Sequence, residues 1–134
     1  MLVDLAVNLF CHDHERVFAF YRDLLEAPEM PEHASPIYRG LKLPGVSLGF
    51  HAQEAYTLLD LVDYSTGQPS TGHYPTFNVD SVETVDALTR RAIELGATVR
   101  KGPYTTYYNA YQVVLLDPEG NVFRLNHYLP AAPA

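Results

Sequence analysis

One order of elements occurs twice in this chain, and that repeat limits its possible folds more than any single motif does. Val3 to Cys11 is rich in β-formers and gives way at His12-Asp13 to Val17, Phe20, Tyr21 and Leu24, whose spacings stripe one face of a helix. Pro28 and Pro31 end that helix. Ile37 to Leu43, Val46 to His51 and Tyr56 to Val62 then read as three short strands, separated by Pro44-Gly45 and Ala52-Gln53-Glu54. The stretch STGQPSTG, residues 65 to 72, has almost nothing to bury and reads as a linker. Beyond it Tyr74 to Val79 is a strand, Asp80 with Glu83 suits a capping box, and Val82, Val85, Leu88, Ala92 and Leu95 stripe a second helix that Gly96 closes. Thr98 to Tyr104, Tyr108 to Leu116 and Val122 to Tyr128 complete the second half. The order is βαβββ in both halves, each too small to be stable alone. The expectation is an α+β fold in a single domain, 1-134. Module one spans about 1-64, the linker 65-72 and module two about 73-130, with two curved sheets enclosing a cleft.

Composition narrows the functional classes. With 47% hydrophobic and 19% charged residues over 134 positions, one globular core is expected. A net charge of -7, with nine Lys and Arg residues scattered rather than clustered, disfavours nucleic acid and anionic membrane as partners. The lone cysteine, Cys11, cannot form an internal disulfide, and MLVDLAVNLF has no basic segment before its apolar residues. No apolar run is long enough to span a bilayer, so the expected location is cytoplasmic.

The stretch LLDPEGNVFRLN, residues 115 to 126, carries the sharpest chemical signal. Pro118 and Gly120 make Asp117 to Asn121 a tight reversal between two strands. In the second strand, period-two alternation sets Val122, Arg124 and Asn126 on one face and Phe123, Leu125 and His127 on the other. A guanidinium inside a strand needs a partner. It is either an anchor for an anionic or carbonyl-bearing ligand or one half of an internal salt bridge, for instance to Asp60 or Glu54.

FAFYRDLLEAP (18 to 28), FNVDSVETVDALTRRAIELGATV (77 to 99) and LLDPEGNVFRLN, in this order and at these intervals, resemble the glyoxalase/bleomycin resistance/extradiol dioxygenase superfamily, the vicinal oxygen chelate fold. The resemblance covers nearly the whole chain. It implies paired βαβββ modules forming a cleft-shaped, curved mixed sheet, a homodimer, and a small-molecule ligand held by inward-facing strand residues. Metal-dependent members hold a divalent ion with His, Gln or Glu at fixed strand positions. Three of those positions align here with Ala6, Tyr74 and Arg124. The fourth falls in the expected strand Tyr56 to Val62, where Asp60 is the mid-strand carboxylate. Ala6 offers no donor, a phenol replaces imidazole poorly, and a fixed cation repels a metal ion. The expectation is therefore no metal and no cofactor. Family members also carry Gly after the first helix's last Leu; here it is Glu26, so that turn is strained or built differently.

The leading expectation is a metal-independent protein that binds an aromatic or acidic natural product, as a resistance protein would. The candidate ligand-binding residues are Asn8, Phe10, Phe50, Tyr56, Tyr74, Tyr104, Tyr108, Arg124 and Asn126. YTTYYNAY, residues 104 to 111, places four tyrosines in eight residues, suited to stacking on a planar ligand or to filling a dimer interface. Asp13 in CHDH reads as a helix N-cap and Cys11 as a core thiol. The alternative is an enzyme: a metal-dependent lyase, isomerase or dioxygenase with ligands displaced to His51, His73, His127 or Asp60, or a metal-free one using Tyr and Arg on an enolate. A protein-binding module is a third class.

Overall fold

The structure, a computed structural model, describes residues 1–65 and 72–131. The expected linker lies, apart from its two ends, outside the described residues. The chain forms two compact units, Met1–Gln68 and Pro69–Ala134.

In the first unit, β1 (Ala6–Phe10) leads into α1 (His14–Leu25), followed by β2 (Tyr38–Leu43), β3 (Val46–His51) and the short helix α2 (Glu54–Leu58). Asp13 caps α1 through Arg16 N, as its sequence position implied. Parallel β1 and antiparallel β2 flank β3, in the order β1-β3-β2. Val17, Phe18, Tyr21 and Leu24 of α1 bury against one sheet face, where Phe50 stacks on Tyr21 with ring centroids 5.6 Å apart and meets Phe18 edge-on at 6.0 Å.

The expected strand Tyr56 to Val62 does not form. Both sides of β3 are occupied, and the outer side of β2 is used by residues 28–30, through Met30 N to Gly40 O and Lys42 N to Pro28 O. Neither β3 nor β2 has a free edge for a further strand. The segment instead winds into α2, which buries Ala55, and a 3-10 turn at Val62–Tyr64. Asp60 sits between them in a left-handed turn at φ 57°, exposed and outside any strand.

The second unit contains β4 (Thr76–Asn78), α3 (Val82–Glu94), β5 (Thr98–Thr105), β6 (Ala110–Leu116) and β7 (Val122–Tyr128), with sheet order β4-β7-β6-β5. The α3 cap is Ser81, one residue later than expected, accepting from Thr84 N, while Asp80 accepts from the Thr84 hydroxyl. Val113, Leu115, Phe123 and Leu125 are fully buried. At the β6–β7 reversal the Asp117 carboxylate accepts from Glu119 N, Asn121 N and the Asn121 amide, which satisfies the turn's backbone donors.

The turn after α1 is the strained one. Glu26 takes the left-handed conformation itself, at φ 50° and ψ 39°, with its N–H on Arg22 O. A side chain there costs about 1–2 kcal/mol, offset in glycine by the greater freedom of the unfolded chain. Glu26→Gly is expected to raise unfolding free energy by about 0.5–1 kcal/mol in urea titration, with Glu26→Ala within about 0.5 kcal/mol of the parent. A loss of stability in the glycine variant would show that the turn carries no strain.

Candidate functional site

The second sheet builds its polar face from strand register. β4 pairs Asn78 with Asn126 of β7, β7 pairs Asn126 with Gln112 of β6, and β6 pairs Gln112 with Tyr104 of β5. The side chains continue that row as one hydrogen-bonded line. Tyr104 OH donates to Gln112 Oε1 at 2.7 Å, Gln112 Nε2 donates to Asn126 Oδ1 at 3.0 Å, and Asn126 Nδ2 donates to Asn78 Oδ1 at 2.9 Å. Gln112 and Asn126 are each only 1% exposed, so these bonds replace water rather than add to it.

Arg124 lies in the next row, opposite Thr76 of β4 and Val114 of β6. Its Nε donates to Thr76 Oγ1 at 2.9 Å, its Nη1 reaches Tyr108 OH at 3.5 Å, and its guanidinium carbon stands 5.1 Å from the centroid of the Tyr74 ring. Among the described residues no carboxylate pairs with it. Tyr108 is not in a strand but in the β5–β6 turn, where its ring contacts Tyr107 and Tyr128, and its hydroxyl accepts from Gln112 Nε2 at 2.8 Å. The structure thus gathers Tyr74, Tyr104, Tyr108, Arg124 and Asn126, and adds Gln112, Thr76 and Asn78. Of the tyrosines in 104 to 111, Tyr111 turns to α3 and donates to Asp86 at 2.7 Å, while Tyr107 is fully exposed.

The first sheet carries a separate cluster on the face away from α1. Phe10 stacks on Tyr56 at 3.9 Å and on His51 at 5.4 Å, and Tyr38 lies 4.9 Å from His51. Tyr38 OH donates to Asn8 Oδ1 at 3.2 Å. Gly40 and Gly49 pair across β2 and β3 beneath Tyr38, and a Cβ at Gly49 would overlap both the Tyr38 hydroxyl and the Asn8 amide. Asn8, Phe10 and Tyr56 are brought together here, Tyr56 from a helix rather than a strand. Phe50 is not: the pleat turns it, with Leu48, toward α1, where it is fully buried in the core. Tyr38 and His51 join the cluster without having been among the candidates. An open recess of about 440 Å³ in the same unit is lined by Asp4, Ala6, Met30, His33, Tyr38 and Ser47.

A divalent metal does not fit the aligned positions. Ala6 has no donor atom, Tyr74 is packed against a cation, and Arg124 is held there by Thr76. Ser47 of β3 stands opposite Ala6, Arg124 of β7 stands opposite Thr76, and Asp60 lies outside any strand. Among the described residues, no three or more His, Cys, Asp or Glu side chains gather in a way that could hold an ion. His127 Nδ1 is bonded to Val79 O at 2.8 Å, and His73 is exposed.

Comparison with known proteins gives these sites a family. The Glyoxalase-like domain model matches residues 4–126, and the chain belongs to that family, within the glyoxalase/bleomycin resistance/dioxygenase superfamily. A glyoxalase/bleomycin resistance protein/dioxygenase family enzyme from Burkholderia phytofirmans PsJN is 44% identical with a TM-score of 0.90, over 95% of this chain and 100% of that one. Two more distant structures share the fold. They are the genomically encoded fosfomycin resistance protein FosX from Listeria monocytogenes (19% identity, TM-score 0.70, 95% and 94% covered) and lactoylglutathione lyase from Agrobacterium tumefaciens (20%, 0.71, 93% and 92%). A comparison with curated proteins finds no match. Among the described residues no helix is long and apolar enough to cross a membrane.

Burial pushes the His51 imidazole below its ordinary pKa, and the nearby His14 adds to that. The unfolded chain takes up this proton near pH 6.5, its ordinary value, whereas the folded protein resists it until lower pH. Stability from His51 is therefore full above about pH 6.5 and is lost as pH falls through the folded pKa. Melting temperature is expected to drop more between about pH 7.5 and pH 5 in the parent than in His51→Phe, which keeps the ring stack. Equal drops would show that His51 is not held neutral.

Proposed function

We propose that this protein is a metal-independent member of the family that binds, and so sequesters, an acidic aromatic small molecule on the polar face of its second sheet. The observation that carries this reading is Arg124: a guanidinium built into a strand, fixed by Thr76 and Tyr74, and lacking a carboxylate partner among the described residues. A charge the protein does not neutralise itself is available to a ligand's anion, and a guanidinium binds carboxylate with directional hydrogen bonds. Tyr74 and Tyr108 add ring surface beside it. The resistance role is in keeping with one fold neighbour, a fosfomycin resistance protein.

The alternative, a metal-dependent lyase, isomerase or dioxygenase with displaced ligands, draws support from the recess lined by Asp4 and His33. Those two residues alone are fewer ligands than a catalytic site usually takes from the protein.

Arg124→Ala is expected to weaken binding of an acidic aromatic ligand, found by screening the full chain, by about 1.5–3 kcal/mol in calorimetry, the range for a charge-assisted hydrogen bond. Unchanged affinity would remove Arg124 as the anchor.

A further inference from the structure

We infer that Tyr108 is a second obligate donor beside Arg124, that the pair recognises a two-oxygen anion of the carboxylate class, and that Gln112 is the positioning residue that turns the Tyr108 hydroxyl toward the ligand. The inference rests on the proposed ligand face and names the chemistry it selects.

Gln112 Oε1 is taken by Tyr104 OH, and the two hydrogens of Gln112 Nε2 go to Asn126 Oδ1 at 3.0 Å and Tyr108 OH at 2.8 Å. The Tyr108 oxygen also faces Arg124 Nη1 at 3.5 Å. Two donors thus converge on one phenol oxygen. A phenol has a single hydrogen, and with both neighbours donating, that hydrogen must point elsewhere. Among the described residues it meets no acceptor. Arg124 is in the same position, since Nε is committed to Thr76 and Nη2 has no partner among the described residues. This part of the sheet therefore offers hydrogens and little that accepts them. An anion with two acceptor oxygens satisfies both groups. A neutral amide of the same shape sets N–H against N–H or O–H.

Gln112 decides this because the amide row has a direction. From Tyr104 through Gln112 and Asn126 to Asn78, every bond donates the same way along β5, β6, β7 and β4. With the row reversed, Gln112 would show Tyr108 its carbonyl, the phenol would donate inward, and a lone pair would face the ligand. The same two side chains would then favour a donor beside the cation. Burial of Gln112 and Asn126 makes the row turn as a whole, because one reversed amide would set like groups together without water to relieve them.

The test uses the full chain, with benzoate and benzamide as a shape-matched probe pair, followed by NMR titration into the tens of millimolar. Benzoate is expected to bind at least about tenfold more tightly than benzamide, the scale of one charge-assisted hydrogen bond. Tyr108→Phe, at a partly exposed turn residue, removes the phenol hydrogen at the cost of one acceptor for Gln112 Nε2, and should remove most of that preference by weakening benzoate alone. Gln112→Met removes the donor to Tyr108 without adding a charge beside Arg124, and should lower the ratio toward one by weakening benzoate more than benzamide; a merely structural role would weaken both probes equally. Equal binding of the two probes by the parent, an equal loss in Tyr108→Phe, or no benzoate binding at all would overturn the inference. If larger neutral compounds still bind in an Arg124-dependent way, the proposed ligand face survives that failure. If no small molecule binds, the proposed function fails as well.

Discussion

The buried amide row of the second sheet is the constraint on which this structure turns. An amide taken from water costs about 1–3 kcal/mol unless it is bonded again, so Gln112 and Asn126 tolerate only the register that sets them side by side. A slip of one residue along β7 would send Arg124 into the helix-packed core and bring Phe123 and Leu125 to the polar face. The same row that fixes register holds Tyr108 and gives Arg124 its neighbours. Fold specification and ligand chemistry here come from one set of bonds.

The two units use one plan for different ends. In each, a first strand lies parallel to the last strand of its unit's sheet and a helix covers one face. The second unit fills the other face with amides, a phenol and a cation. The first unit fills it with aromatic rings, and thins the strands beneath to Gly40 and Gly49 so that Tyr38 can lie against the sheet.

Much of this was legible in the sequence because it depends on short-range periodicity. The helix stripes of Val17 to Leu24 and Val85 to Ala92, the Asp117 to Asn121 reversal and the facing of Arg124 follow from spacings of two, three and four residues. Three features did not. Tyr56 to Val62 has β-forming composition, but only the pairing of β3 on both sides, and of β2 with residues 28–30, shows that neither has an edge left to receive it. Alternation in VSLGFH sets Phe50 on one face with Val46 and Leu48, but that this face lies under α1 depends on the β3 pleat relative to Phe18 and Tyr21. Gln112 looked like an ordinary polar residue, because its importance arises across strands, from Asn126 and Tyr104, whose register no local pattern reveals. Gly40 and Gly49 were the visible signal for the Tyr38 cluster, as strand glycines mark a close approach.

The central claim is that Arg124 stands in place of a metal ligand, so the most direct measurement is metal content per chain, by elemental analysis of protein purified without chelators or a polyhistidine tag. The account predicts that iron, nickel, zinc and manganese are each far below one ion per chain. One equivalent of any of them would contradict it and would move the chemistry to residues other than Ala6, Tyr74 and Arg124.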